Sequence, residues 1–280
     1  MKKIIVLGLI VLLSLSLLAC SNTDKEPEVE PVVVKIGTVG EYNEYWTPVI
    51  EKFAAEGVTI ELVKFTEYSL PNAALSDGDI DLNAFQHYAY LNKEKSEVGY
   101  DLAVVCETIV APLGLYSENI TDVSELKEND TIAIPSDATN GGRALKLLES
   151  AGLITVDPDV GYLGVKADII DNPLNLDIVE VDASLTASLL PDVAAAIING
   201  GVAISAGLHK TDSLIYVESI DPQANPNVAN LINVLVARTE DVENELYVRI
   251  AEAFRSDEVA EVIHQEYPGV ILPAWEVNTK

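Results

Sequence analysis

The chain has 280 residues, 49% of them hydrophobic, and a formal net charge of -28 from 45 acidic and 17 basic side chains. A surface this acidic repels phosphate backbones and anionic lipid faces alike, which excludes nucleic-acid binding and attachment to a membrane through a basic patch. The apolar fraction is ample for a buried core of one large or two medium domains and excludes disorder for most of the length.

The chain opens with Lys2 and Lys3, runs through a mostly apolar stretch and closes it with Leu17-Leu18-Ala19-Cys20. A positive start, a short apolar core and a small residue at the cleavage position mark residues 1–19 as a secretory signal, too short for a spanning helix. The cassette resembles the lipobox of bacterial lipoproteins, which implies a mature chain beginning at Cys20 with its thiol carrying lipid. Several buried acyl chains hold a protein at a membrane where one would hold it only marginally. After Cys20 comes SNTDKEPEVEP, polar and punctuated by proline. Residues 20–31 therefore read as a lipidated cysteine and a solvated tether. With Cys20 lipidated, Cys106 has no partner for an intramolecular disulfide, and its place in the apolar run 102–105 makes it a core residue.

From Val32 onward, β-branched runs alternate with helical periods, the pattern of an α/β protein with mainly parallel strands. Strands are expected at 32–40, 58–65 and 80–85, and helices at 47–57, 71–76 and 86–98. The run 102–117 is too long and apolar for one ordinary strand, so it reads as a crossing into a second lobe. There the pattern restarts with a strand at 131–135 and a helix over 141–151 that Gly152 ends. A looser stretch follows over 155–175, then a strand at 177–182, a helix near 184–190 and a strand at 193–200. The run 230–238 has the character of the first crossing and should carry the chain back. Helices at 242–254 and 257–267 and a packed tail at 268–275 complete the first lobe. The expected architecture is thus two lobes, 32–112 with 236–280 and 113–235, joined by two extended crossings that can hinge about a ligand cleft.

Three segments carry the chemistry. In DATNGGRALKLLESAG (137–152), Asn140, Gly141 and Gly142 lead into a helix whose first turn holds Arg143. Free N–H groups, the helix dipole and side chains cut back to hydrogen would make an anion site there, and the guanidinium is a planar fork matched to a carboxylate. On spacing alone a second reading stands beside it, in which Thr139 caps the helix and Arg143 pairs with Asp137 at the surface. The second segment, 65–91, gathers Tyr68, Phe85, His87, Tyr88 and Tyr90 in a chain only 6% aromatic. At a cleft wall these rings could enclose an apolar side chain; otherwise Phe85 and Tyr90 are core and His87 is a satisfied hydrogen-bonder. The third, 194–208, sets Asn199 at the end of a strand before two glycines, where its amide could meet an ammonium or a carboxylate or simply cap a turn. Tyr42 is expected on the outer surface. His87, His209 and His264 stand near no G-x-S-x-G elbow, and the chain holds no H-E-x-x-H pair or cysteine-histidine cluster. Neither a metal nor a cofactor is therefore expected, and no enzyme activity.

Together, FTEYSLPN, IDLNAFQHYAYL, IAIPSDATNGGRAL, AGLI, IVEVDA, IINGGVAISAGL and NVANLI resemble the NlpA-type, methionine-binding lipoproteins of ABC importers, from about Val34 to Trp275. The resemblance implies a two-lobe, type II periplasmic-binding fold that holds an amino acid, methionine first, between its lobes. It implies delivery of that ligand to a permease with a cytoplasmic ATPase, from the outer face of a bacterial membrane. Carried onto matching positions, Arg143 and the Asn140-Gly141-Gly142 turn take the carboxylate and Asn199 contacts the amino-acid head. Tyr68, Phe85, His87 and Tyr88 frame the side chain, and Asn225, before Pro226, lies near the head group. Two departures stand out: Gly201 and Val202 occupy places where the family has Asn-Tyr, and Ala89 one where it has proline. The extra room keeps a methionine-containing dipeptide or another amino acid open as ligand, beside the rival of a surface interaction lipoprotein without a transport role.

Overall fold

A computed structural model describes residues 32–277; the expected signal, the expected lipidation site Cys20 and the tether all lie outside them. The first sheet is built on β1 (Val32–Val39), whose alternating residues Val34 and Ile36 point into the core. β2 (Val58–Phe65) pairs with it in parallel, Val32 opposite Val58, and the intervening α1 (Thr47–Ala54) packs on β2. α2 (Pro71–Asp77), β3 (Leu82–Asn83), α3 (Tyr88–Val98) and β4 (Leu102–Val110) follow. β5 (Gly114–Tyr116) opens the second sheet, which continues through β6 (Thr131–Pro135) and α4 (Ala138–Ser150). A small ribbon of β7 (Thr155–Val156) and β8 (Ile169–Asp171) precedes β9 (Asp177–Val181), β10 (Ala195–Ile198), α5 (Gly200–Ser205) and β11 (Leu214–Val217). β12 (Ile232–Arg238), α6 (Glu245–Phe254), α7 (Asp257–Glu266) and β13 (Leu272–Pro273) end the described chain.

The strand orders are β13-β4-β12-β3-β1-β2 and β11-β5-β10-β6-β9. Each sheet is mixed, where mainly parallel strands were expected. β1, β2 and β3 are parallel, as are β6, β9 and β10, but the crossing strands β4, β12 and β5 run antiparallel to their neighbours. β12 and β5 enter from the other lobe and arrive against the direction of the βαβ units already there, whereas β4 keeps the direction of β1 to β3 and is antiparallel only because β12 and β13 flank it. The run 102–117 accordingly breaks at 111–113 into β4 in one sheet and β5 in the other, around Pro112, which has no N–H to give a ladder. This is the two-lobe fold of periplasmic binding proteins.

Each lobe has its own core. Trp46, Phe53 and Phe254 centre the first, with the Trp46 and Phe254 rings 4.5 Å apart, and Ile132, Leu145, Leu148 and Ile197 the second. Cys106 packs at the edge of the first core, where burial pushes its thiol up to about 12, so it is an inert small hydrophobe. Three expected elements change. The strand at 80–85 shrinks to β3, because Asn83 and Gln86 turn into a buried amide network. The helix near 184–190 is two 3-10 pieces, 183–185 and 187–192, the second holding Pro191. α4 starts three residues early, at Ala138, with consequences for the site.

Candidate ligand-binding site

The start of α4 organises the cleft. Asp137, not Thr139, is the cap: its Oδ1 accepts from the Asn140 backbone N–H at 3.0 Å and from the Thr139 hydroxyl at 2.9 Å. The Gly141 N–H is spent on the Asp137 carbonyl at 2.7 Å. Two N–H groups of the first turn, those of Asn140 and Gly141, are thus already engaged by Asp137. The glycines also allow close packing. A Cβ on Gly142 would stand 2.1 Å from the Tyr162 carbonyl oxygen, and one on Gly141 3.0 Å from that of Pro135.

Side chains supply further polar surface here. Asn140 donates its amide N–H groups to both Asp137 carboxylate oxygens, at 3.1 and 2.9 Å, which fixes its Oδ1 as an acceptor turned the other way. Onto that oxygen converge an Arg143 N–H at 3.1 Å, the Asn199 amide at 3.0 Å and His87 Nε2 at 3.3 Å. Since the Asn199 nitrogen must face Asn140, its Oδ1 faces away, buried and without a hydrogen-bond partner among the described residues.

Arg143 is 2% exposed, and its carboxylate partner is Glu218 rather than Asp137. Nε donates to Glu218 Oε1 at 3.2 Å and Nη2 to Oε2 at 2.5 Å, a two-pronged pair, while Nη2 also reaches the Ala111 carbonyl at 3.4 Å. Glu218 Oε2 accepts in addition from the Leu113 backbone N–H at 3.0 Å. With Asn140 on Nη1, four of the five guanidinium donors are engaged and one is left. Glu218 is the residue that sequence reasoning missed. It lies 75 positions from Arg143, and no local pattern connects them.

His87 caps α3, its Nδ1 accepting from the Tyr90 backbone N–H at 3.1 Å, so Nε2 carries the proton donated to Asn140. Burial first, and the neighbouring Arg143 charge second, lower its pKa to about 3 and keep the ring neutral. Behind it Asn72, Asn83 and Gln86 close a buried amide network, the Asn83–Asn72 bond measuring 2.9 Å. Tyr68, Phe85 and Tyr90 form a triangle of rings with centroids 5.9 to 6.2 Å apart. Burial raises the Tyr68 phenol well above its ordinary range, so it stays protonated.

These groups face one hollow between them. Of the expected residues, Tyr68, Phe85, His87, Asn140, Arg143 and Asn199 stand in its wall, joined by Gln86, Tyr90, Ala111, Asn233, Gly200 and Gly201. Gly141, Gly142, Tyr88 and Asn225 do not. Tyr88 packs with the smaller cores of the first lobe and its hydroxyl reaches Glu107 at 3.4 Å. Asn225 is tied to the Tyr162 hydroxyl at 2.6 Å and to the Ser219 carbonyl at 3.0 Å. Tyr42, expected outside, is half-buried in the wall, because the loop after β1 folds over the cleft.

The family model described as NlpA lipoprotein matches residues 34–275. The chain belongs to the NlpA lipoprotein family. A protein of Pasteurella multocida named probable D-methionine-binding lipoprotein MetQ is 37% identical over 285 residues, covering 98% of this chain and all of that one. A solved nutrient binding protein from Burkholderia cenocepacia bound to methionine is 33% identical and superposes with a TM-score of 0.79, over 86% of this chain and 99% of the other. The substrate binding protein of a methionine transporter from Streptococcus pneumoniae is 37% identical with a TM-score of 0.80, over 87% and 96%. In this chain Asn199-Gly200 is followed by Gly201 and Val202, and the Tyr42 phenol leans over Gly201.

Proposed function

We propose that this chain is the substrate-binding lipoprotein of an ABC importer, taking up an amino acid, methionine before others, between its lobes and handing it to a permease. The observation that carries this reading is the meeting of one unpartnered buried acceptor, Asn199 Oδ1, with a single spare Arg143 donor beside a box of three rings. An ammonium needs the first and a carboxylate the second. A thioether gains roughly 0.3 to 1.5 kcal/mol from each ring it touches. Because Glu218 already balances Arg143, the site suits a ligand without net charge, in agreement with a protein of charge -28.

With the lobes divided at about residues 112 and 235, the hinge in this reading is the pair of crossings β4–β5 and β11–β12. Binding is expected to close them, and the closed form is what a permease and its ATPase would read. Cys20, lipidated after removal of residues 1–19, is the anchor, and the acidic tether lets the folded body stand off the membrane. Nothing in this cycle requires a covalent step from the protein. A methionine-containing dipeptide is the second reading, favoured by a further hollow of about 670 Å³ that shares Tyr68 and Gly201 with the first.

Mass spectrometry of the ligand released on denaturing freshly purified protein tests the proposal. Methionine or a methionine-containing dipeptide is expected, and calorimetry on the stripped protein should show it rebinding. Protein that releases neither and gives no heat with either overturns the reading.

A further inference from the structure

The loop that follows β1 reaches from the first lobe to α5 of the second. The Glu41 backbone N–H donates to the Ser205 hydroxyl at 3.1 Å, and a Cβ on Gly40 would stand 2.7 Å from the same oxygen. Next in the loop, Tyr42 is held on its own lobe by an edge contact with Tyr267, centroids 6.3 Å apart, and a tilted one with Tyr45 at 6.2 Å. Its far end rests on the other lobe. A Cβ built on Gly201 would fall 1.9 Å from the Tyr42 hydroxyl oxygen and 2.4 Å from Cζ, so the phenol occupies the room that any side chain at 201 would need. Both residues line the same hollow, two positions on from Asn199, and the Tyr42 hydroxyl bonds no protein group among the described residues. Burial pushes this phenol up to about 12, so it remains a neutral donor and acceptor.

We propose that Tyr42 is a ligand-contacting, specificity-determining residue, whose hydroxyl stands over the polar end of the hollow in the room that Gly201 leaves. The pair Tyr42–Gly201 thereby sets both the closing contact between the lobes and the size of the head group admitted. This rests on the reading of the hollow as an amino-acid site. The obstacle that a methyl group at 201 would meet is the tip of a flexible side chain and not backbone. Gly201→Ala should therefore displace Tyr42 without disturbing the fold.

A double-mutant cycle, with calorimetric titration of L-methionine into ligand-stripped protein and a thermal melt of each variant, tests this. Tyr42→Phe, which deletes only the hydroxyl, should weaken binding by about 3- to 10-fold, the range of one hydrogen bond. Gly201→Ala should cost about tenfold in the native background but under about twofold on top of Tyr42→Ala, with melting temperatures little changed, because contacting residues couple. Additive effects in the cycle, or full affinity in Tyr42→Phe, overturn the assignment even if Gly201→Ala proves unstable. Native protein that takes up no methionine overturns the functional reading first, and this one with it.

Discussion

At the polar end of the hollow nearly every group is committed to another protein group. Arg143 grips Glu218, Asn140 collects three donors on one oxygen, and Asp137 holds Asn140 from behind. At the aromatic end Tyr68, Phe85 and Tyr90 meet one another only through ring edges and faces. The first arrangement is preorganised: it has little freedom left to lose when a head group arrives, and a mismatched one strands buried polar atoms. The second is adaptable, because an apolar pocket discriminates weakly between side chains of similar size. On the proposed reading, strictness about the zwitterion and tolerance about the side chain belong to different ends of one cavity.

The comparison breaks most readily at Arg143. Arg143→Ala leaves Glu218 buried with only the Leu113 N–H and should cost about 3 to 5 kcal/mol of stability in chemical denaturation, together with ligand binding. A loss of binding without a loss of stability would mean that Glu218 does not depend on the pair.

Acid acts on the same end. His87, held at about 3 in the folded protein, takes up a proton in the unfolded chain near 6.5. The unfolded state therefore binds more protons across that window, and this group makes stability fall as pH drops from 6.5 to 3, by up to about 1.4 kcal/mol per unit. Denaturation midpoints measured down that range, for the native protein and His87→Gln, should show a shallower slope in the variant. Between pH 7 and 8 this group should leave binding unchanged.

The aromatic end should respond more gently. Phe85→Ala is expected to weaken methionine binding by about 1 to 3 kcal/mol and to narrow the preference for methionine over norleucine, which lacks sulfur, in competition titrations. The smallest effect belongs outside the hollow. Tyr88→Phe loses only the contact with Glu107 and should bind methionine within about twofold of the native protein, as expected of a change away from the site. A larger loss would return Tyr88 to the ligand.

Much of this was legible in the chain. The β-branched runs at 32–40 and 58–65 and the helical periods of α1, α3 and α6 reproduce the elements to within a few residues, because one face of each is buried against a continuous core. Six wall residues could also be named, since rings and amides crowded at strand ends are unusual in a chain poor in aromatics. The glycines at 141 and 142 were less legible: a glycine before a charged residue reads equally as close approach to a ligand or to a neighbouring backbone, and the backbone of Tyr162 and Pro135 does come close here. Tyr42 misled for a related reason, as a loop tyrosine has no period to say which way it faces.

By itself the sequence determined the alternation of strands and helices, the two crossings and the kinds of side chain available to a ligand, all of which follow from local period and composition. Only the tertiary structure decided which of those side chains neutralise one another. Arg143 finds Glu218 across 75 residues, Asn199 finds Asn140 across 59, and Tyr42 comes to lie over Gly201. The first two pairings join distant segments of one lobe, and the third depends on how two separately cored lobes are set against each other. Burial then converts a meeting of charges and amides into a fixed arrangement, because an unpaired polar group in that place would be too costly to keep.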